Sequence, residues 1–365
     1  MIFKIVGALL LLLLFGTHSL SLAFSNIFQS PQNSNPVSQN LTIEFPQDHG
    51  SHENSTIEWW YVTANLEDAK GNSFGIQWTL FRSSIDDFDN SRINQSEEEI
   101  LSWDDNQIWM AHAAVTSKNS HYFSEKLARG GSGQAGVKGE DFSAWIDDWV
   151  FFGNKNWNKL KVQAKGKNFE YSLNLKTDGP IVLNGNNGYS VKTHEGHSSA
   201  YYSLPFLKVD GKIIMDDATF LVKGEAWIDR EWSSAMLGPN QDGWDWFSLH
   251  LDNGDKLMLF RVRDKGAKDF LSGTLVTANK KILNLDNAKI KMKPLTYQAR
   301  KATNKRPGSN VPISWRLQIK SQNIDVITKA INSHSYIDGL VPYWEGPITI
   351  SGSHSGVGYL EMTGY

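Results

Sequence analysis

Apolar and polar side chains alternate with a period of two along much of the chain. Phe74, Ile76, Trp78 and Leu80 occupy every second position, with Gly75, Gln77 and Thr79 between them. Successive side chains of a strand point to opposite faces, so this pattern predicts a half-buried β-strand over 74–82. The block 56–66 reads as a strand before it, and Lys70, Gly71 and Asn72 join the two as a β-hairpin. A strand follows at 107–117. From residue 142 similar runs recur at 159–164, 168–176, 189–193, 200–208 and 219–232, then at 245–251, 256–262, 269–277, 289–295, 314–321, 345–351 and 358–363. Asp252, Asn253 and Gly254 supply a hairpin turn between two of them. Helical periodicity never extends beyond about three turns, and short helices are expected only near 123–128 or 325–329. Regular short strands between turns indicate an all-β barrel or sandwich. The turn-rich stretch 233–240 separates two strand-rich units, which sets the expected domains at 41–234 and 235–365.

Three segments fall outside this pattern. Residues 5–15 form an apolar run after Lys4, and Ser21, Leu22 and Ala23 resemble a cleavage site. They predict a signal peptide over 1–23, too short to span a membrane comfortably, with an uncleaved anchor as the alternative. The expected location is therefore periplasmic or secreted. Residues 24–40, rich in Ser, Asn, Gln and Pro, read as a flexible leader. Residues 83–105 are polar and acidic and read as a solvated loop. The glycine-rich stretch within 126–140 lacks the Gly-Lys-Ser/Thr ending of a phosphate loop, so it reads as a surface loop or lid.

Composition narrows the function classes. A net charge of −3 gives no electrostatic case for binding nucleic acid or anionic membrane. The chain has no Cys, so neither lipid attachment nor a disulfide framework is expected. No second long apolar run follows the first, so no integral membrane segment is expected in the mature chain. The 14 Trp, 11 Tyr and 18 Phe favour strands and wide apolar pockets.

The densest candidate chemistry lies in the segment 222–234, VKGEAWIDREWSS. As a strand it places Lys223, Glu225, Trp227, Asp229 and Glu231 on one face and Ile228, Arg230 and Trp232 on the other. Either face puts ionisable groups against apolar walls, a setting for shifted pKa values and acid–base chemistry, or for a structural ion pair. Glu58 shares a face with Trp60 and Val62. It is a buried acid or base, or, the reading preferred here, a partner for Arg230 or Arg82. Tyr61 lies on the opposite face, where its hydroxyl can reach a ligand. His112 stands among Met110 and Ala114, and His250 alternates with Trp244, Trp246 and Ser248. Tyr201 and Tyr202 place one ring on each face, so one hydroxyl can approach Asp229. The candidate catalytic residues are thus Asp229, Tyr202, Glu58 and His112. The candidate ligand-binding residues are Trp60, Tyr61, Tyr201, Trp227, Trp246 and His250. The pairs His49/His52 and His194/His197 lie in loops without the helical spacing of a zinc site, so no metal or other cofactor is expected. No G-x-S-x-G motif supports a serine hydrolase.

Several blocks together resemble one family. FPQDHGSHENSTIEWWYVTANL, WMAHAAVTS, YYSLP, VKGEAWIDREWSS, GWDWFSLHLDNGDKLMLFRVR and YWEGPITISGSHSGVGYLEMTGY occur in order from residue 45 to the C-terminus. They resemble the AttH-like proteins and carotenoid 1,2-hydratases. The resemblance implies two consecutive lipocalin-like β-barrel domains with an apolar ligand pocket between or within them. Members encoded beside ABC-transporter components make such a transporter the implied partner. In the hydratases an acid at the position of Asp229 protonates a terminal alkene, and water captures the cation. Those enzymes carry Tyr where this chain has Trp227, and His-Asn where it has Arg230 and Glu231. An adjacent arginine is expected to lower the pKa of Asp229 and oppose its use as an acid, which places the chain nearer the AttH-like branch. The first functional reading is an exported binder of an apolar or amphipathic small molecule, such as a lipid or isoprenoid. The alternative is a hydratase or isomerase using Asp229. A third, a tryptophan-rich docking face, requires exposed indoles.

Overall fold

A computed structural model describes residues 36–84, 106–139, 141–235, 237–238, 240–300 and 308–365. The expected signal peptide, most of the leader and most of the loop at 83–105 lie outside the described residues. Among the described residues there is no α-helix. The first sheet is built from β1 (Ile57–Asp68), β2 (Ser73–Ser84), β3 (Gln107–Ser117), β4 (His121–Arg129), β5 (Ala135–Lys138), β6 (Ser143–Ile146), β7 (Trp149–Gly153), β8 (Lys159–Lys165), β9 (Phe169–Thr177), β10 (Val182–Leu183), β11 (Tyr189–Val191), β12 (Ser198–Met215) and β13 (Ala218–Ser233). The second is built from β14 (Gln241–Leu251), β15 (Lys256–Asp264), β16 (Phe270–Val276), β17 (Ile282–Leu285), β18 (Lys291–Arg300), β19 (Ser309–Ile319), β20 (Ile324–Ala330), β21 (Tyr336–Ile337), β22 (Tyr343–Gly352) and β23 (Gly356–Thr363). The pairings in both are antiparallel; the main path of the first runs 4-3-2-1-13-12-9-8-7-6-5 and that of the second 17-16-15-14-23-22-20-19-18. Both sheets curl, giving two lipocalin-like barrels.

The period-two pattern sends one face of each strand inward. In the first barrel Trp60, Val62, Trp78, Val115, Ile228 and Trp232 share one core. β6 lies back against β2, β3 and β4, and the Tyr171 hydroxyl donates to the Gln77 carbonyl at 2.8 Å across the lumen. Trp78, Trp149 and Trp157 are fully buried, so this lumen is a packed core. Its end is plugged by the segment before β1. There the His49 ring stacks on Trp157 at 3.9 Å, its Nδ1 lies 2.6 Å from the Tyr202 hydroxyl, and the Trp60 indole donates to the His49 carbonyl at 2.9 Å. The second barrel has its own core around Phe247, Leu259, Trp315, Trp344 and Leu360.

The outward faces meet as a third core. Tyr61, Tyr201 and Trp227 of the first barrel pack with Trp246, Met258, Phe260 and Tyr359 of the second. Burial of Met258 or Phe260 there contributes roughly 1.5–3 kcal/mol each. β1, β13, β14 and β23 are consequently buried on both sides over much of their length. At Gly75 the barrels approach so closely that a Cβ would lie 2.6 Å from the Pro347 Cγ.

Two expected short helices are strands instead. Residues near 123–128 lie in β4, and those near 325–329 lie in β20, where Ile324, Val326 and Thr328 alternate inward. The hairpin signals are realised: Gly71 and Gly254 hold positive φ values of 80° and 87° in the β1–β2 and β14–β15 turns. The glycine-rich stretch turns the chain between β4 and β5. Among the described residues no helix is long and apolar enough to cross a membrane.

Candidate active site between the barrels

β13 divides its charges as its alternation requires. Ile228 and Trp232 enter the first barrel's core, while Trp227 joins the core between the barrels. Asp229 therefore faces the second barrel, with Tyr61 of β1 and Ser203 of β12 as its cross-strand neighbours. On β12 the register shifts between Leu204 and Leu207, where Pro205 offers no N–H to the ladder. The bulge lets Leu204 and Leu207 both face the core while Tyr201 and Ser203 face Asp229.

Asp229 is 3% exposed. Its Oδ2 accepts the Tyr201 hydroxyl at 2.6 Å; its Oδ1 accepts the Ser203 hydroxyl at 2.5 Å and the Trp227 indole N–H at 2.7 Å. The Trp246 indole, from the second barrel, donates to the Tyr201 oxygen at 3.2 Å. All three partners of the carboxyl are neutral. Burial outweighs their hydrogen bonds and pushes its pKa up to about 7, aided by the nearby charge of Glu231. Arg230, expected to lower it, points to the opposite face of the strand.

Across the gap, Glu361 of β23 accepts the Trp244 indole N–H at 2.7 Å. Burial raises its pKa to about 7 despite that bond, with the charges of Asp229 and Glu231 adding to the rise. Glu345 of β22 accepts the Tyr61 hydroxyl at 2.5 Å, and burial, then the charge of Glu361, holds its pKa well above the usual carboxylate range. The Tyr343 hydroxyl lies 2.8 Å from His112 Nδ1, and His112 Nε2 lies 2.9 Å from Glu125.

Asp229, Tyr61, Glu361, Tyr343 and His112 border a cavity of about 120 Å³. Trp59, Phe81, Met110, Trp246, Phe260 and Val262 supply apolar wall; Asp229, Glu361, His112 and Tyr343 supply polar points. The volume suits one small apolar group rather than a whole drug-sized ligand, for which ~300–1,000 Å³ is usual. Lys192 and His197 also border it. The Lys192 ammonium lies 2.8 Å from Glu231 and sits over the rings of Tyr201 and Phe260, at 4.3 and 4.5 Å.

Of the residues singled out in the sequence, Asp229, His112, Tyr61, Tyr201, Trp227 and Trp246 come together here. Tyr202, Glu58 and Trp60 do not, because each lies one position out of phase and faces the first barrel's plugged end. Glu58 accepts from the guanidinium groups of both Arg82 and Arg230 and from the His52 backbone N–H at 3.0 Å. Burial alone would raise its pKa, but Arg230, His52 and Arg82 hold it well below the usual range. Arg230 also lies 3.9 Å over the Trp60 ring. This is the ion-pair reading of Glu58, with both arginines engaged. His250 lies elsewhere on the face between the barrels, 3.7 Å from Glu225, and burial, with Lys256 nearby, depresses its pKa to about 3. Sequence reasoning passed over Glu345, Glu361, Tyr343 and Lys192. An acid two residues from an aromatic, as in Tyr343/Glu345 and Tyr359/Glu361, repeats the spacing of Trp227/Asp229 and was the available signal. Among the described residues no cluster of His, Asp and Glu is arranged to hold a metal.

Fold and site together define a two-barrel, all-β protein with an acid-bordered pocket between its barrels. The family model described as AttH-like matches residues 36–365, and the chain belongs to that family. Its structure is similar to that of an AttH from Nitrosomonas europaea, with a TM-score of 0.78 and 29% identity over 91% of this chain and 99% of that one. It shares its fold with kievitone hydratase from Nectria haematococca, with a TM-score of 0.67 and 16% identity over 92% and 98% of the two chains. CghA, solved with Sch210972, has a TM-score of 0.57 and 11% identity over 93% and 96%. No curated protein sequence matches the chain.

Proposed function

We propose that this AttH-like protein is an exported hydratase-type enzyme that protonates a carbon–carbon double bond of an apolar small molecule in the pocket between the barrels. The observation that carries this reading is Asp229: a buried carboxyl held by three neutral donors, with a pKa near 7 and its arginine neighbour turned away. A general acid works best when its pKa lies near the working pH. Protonated Asp229 gives its proton to one alkene carbon, and the cation forms on the other. The aromatic faces around the cavity favour that charge. Water adds to the cation, and the Glu361 carboxylate takes the water's surplus proton. The product is an alcohol, with Asp229 left ionised and Glu361 protonated. The shared fold of a protein named a hydratase gives this class of reaction a precedent in the architecture.

A second reading, binding without chemistry, rests on the apolar walls alone and would suit delivery to or from an envelope ABC transporter. Mass spectrometry of small molecules co-purifying with the exported protein identifies the compound, and incubation with it in ¹⁸O-labelled water reads hydration. D229N is expected to reduce label incorporation by about 10²–10⁴-fold while the protein still retains the compound. Retention without any incorporation in the wild type favours the binder. Incorporation unchanged in D229N removes Asp229 as the acid.

A further inference from the structure

The whole-chain charge of −3 hides a strong local asymmetry. Among the described residues of 280–329, nine are Lys or Arg, two are Asp and none is Glu, a balance of +7. The register of β18, β19 and β20 gathers part of this charge on one outer face. Lys293 of β18 stands beside Arg316 of β19, then Ile327 of β20 and Ser351 of β22. The next row on that face is Thr296, Ser314, Lys329 and Thr349. The row on the other side is Lys291, Gln318 and Asp325. Asp325 is the one acid in these rows, and Arg316 donates to both of its oxygens, at 2.8 and 2.6 Å. Lys291, Lys293 and Lys329, all exposed, are left as the uncompensated charges of the face among the described residues.

The same face keeps apolar side chains in water. Leu295 is 40% exposed, Tyr297 55% and Ile327 42%. A register shift on each side of Thr296 holds Leu295, Thr296 and Tyr297 all exposed, where strict alternation would turn one of them inward. Lysines interleaved with exposed Leu, Ile and Tyr fit a bilayer with anionic headgroups. The ammonium groups meet the phosphates, the lysine stems and aliphatic groups reach the acyl boundary, and the phenol sits at headgroup level. A soluble polyanion would engage the lysines and leave Leu295, Tyr297 and Ile327 in water. We propose that the outer face of β18, β19 and β20 docks this protein on an anionic lipid membrane. Basic charge or a small apolar patch alone gives marginal membrane binding, and this face combines the two. It also turns away from the first barrel. Phe247 of β14 packs against Trp315 of β19 across the second barrel's core, at 5.6 Å, while the other side of β14 meets the first barrel through Trp246. Docking there leaves the pocket uncovered. The inference rests on surface charge and exposure, so it holds whether or not the pocket performs chemistry.

The test is sedimentation of the full chain with vesicles of phosphatidylcholine alone or of phosphatidylcholine and phosphatidylglycerol in two-to-one ratio. Residues 5–15, the apolar run, are common to every variant, so differences between variants read this face. The wild type is expected to prefer the anionic vesicles, and to lose most of that preference as salt rises from about 0.05 to about 0.5 M. K291Q/K293Q/K329Q is expected to weaken binding to them about 10²-fold, about fivefold for each lysine. L295S/Y297S is expected to weaken it about tenfold. Near-UV circular dichroism checks that each variant is folded. Equal binding to both kinds of vesicle overturns the proposal, as does wild-type affinity in K291Q/K293Q/K329Q. Wild-type affinity in L295S/Y297S overturns it too, because the apolar side chains then stay in water. Binding to dextran sulfate without binding to either vesicle assigns the face to a soluble polyanion and overturns the membrane as partner. None of these results bears on the D229N labelling experiment, so the docking face and the hydratase reading fail separately.

Discussion

Glu58 and Asp229 are both buried carboxyls, one on β1 and one on its neighbour β13, and burial acts on both in the same direction. Their outcomes are opposite. Glu58 faces the first barrel's plugged end, where two guanidinium groups and a backbone N–H meet it, and it stays ionised. Asp229 faces the second barrel, where a phenol, a serine hydroxyl and an indole meet it, and its proton becomes labile near neutral pH. Desolvation of a carboxylate costs several kcal/mol in either place; full positive charges offset it and neutral donors offset it only in part. A carboxyl neutralised by arginine is set up to hold a structure together. One held by neutral donors is set up to exchange a proton. The arrangement depends on one alternation along β13, which turns Arg230 away from Asp229.

The largest expected effect lies on the structural side. Glu58→Gln leaves Arg82 and Arg230 buried without a counter-charge, and it should destabilise the first barrel by about 3–5 kcal/mol in chemical denaturation at pH 7. The pH dependence has a definite sign. The folded pKa of Glu58 lies below its unfolded value, so its stabilisation is present above about pH 4.5 and is lost as the pH falls below that. A variant as stable as the wild type at pH 7 would mean that the arginines do not depend on this carboxylate.

Asp229 should show the opposite slope. Its folded pKa, about 7, is raised above the ordinary 3.8. The folded state therefore binds the extra proton between those values, and stability falls as the pH rises from about 4 to about 7. Asp229→Asn removes its share of that slope, while the share from Glu361 remains. The variant should match the wild type near pH 4 and exceed it at pH 8 by a few kcal/mol, at most on the order of 4. Denaturation midpoints measured across this range decide it. A difference between D229N and the wild type that stays constant from pH 4 to 8 would be evidence that Asp229 is ionised throughout, since the opposite slopes of Glu58 and the buried histidines cancel in that comparison.

Much of this contrast was legible before any coordinates. The alternation in 222–234 separates Asp229 from Arg230, and the spacing of Glu58 in IEWWYVT suggests an arginine partner. What alternation does not decide is which face turns inward. In β1 both phases are apolar, Trp60 and Val62 on one and Trp59 and Tyr61 on the other, because the strand serves two cores. A sequence pattern that assumes one buried face therefore groups Tyr202 and Trp60 with Asp229, though they lie behind it. Glu345 and Glu361 were hidden for a different reason. Their chemistry exists only once β22 and β23 are laid against β1 and β2 from more than 250 residues earlier in the chain, and no local spacing encodes that docking.

The finest test of the contrast is to remove one neutral donor and leave the rest. Ser203 is the best target, because its hydroxyl contributes almost no packing volume and its partners are known: it donates to Asp229 Oδ1 at 2.5 Å and accepts from the Asn184 amide at 2.8 Å. Ser203→Ala leaves Tyr201 and Trp227 still bonded to the carboxyl, so the ionised form loses one of three supports while its burial is unchanged. The pKa of Asp229 should rise by about one unit, equivalent to about 1.4 kcal/mol. An infrared titration of the protonated carboxyl band, assigned with D229N, reads the shift directly. If neutral donors set the balance at this site, the midpoint moves upward. A midpoint that stays in place or falls would mean that some other group, nearer to a full charge, holds the Asp229 carboxylate, and the distinction drawn between the two faces of β13 would then collapse.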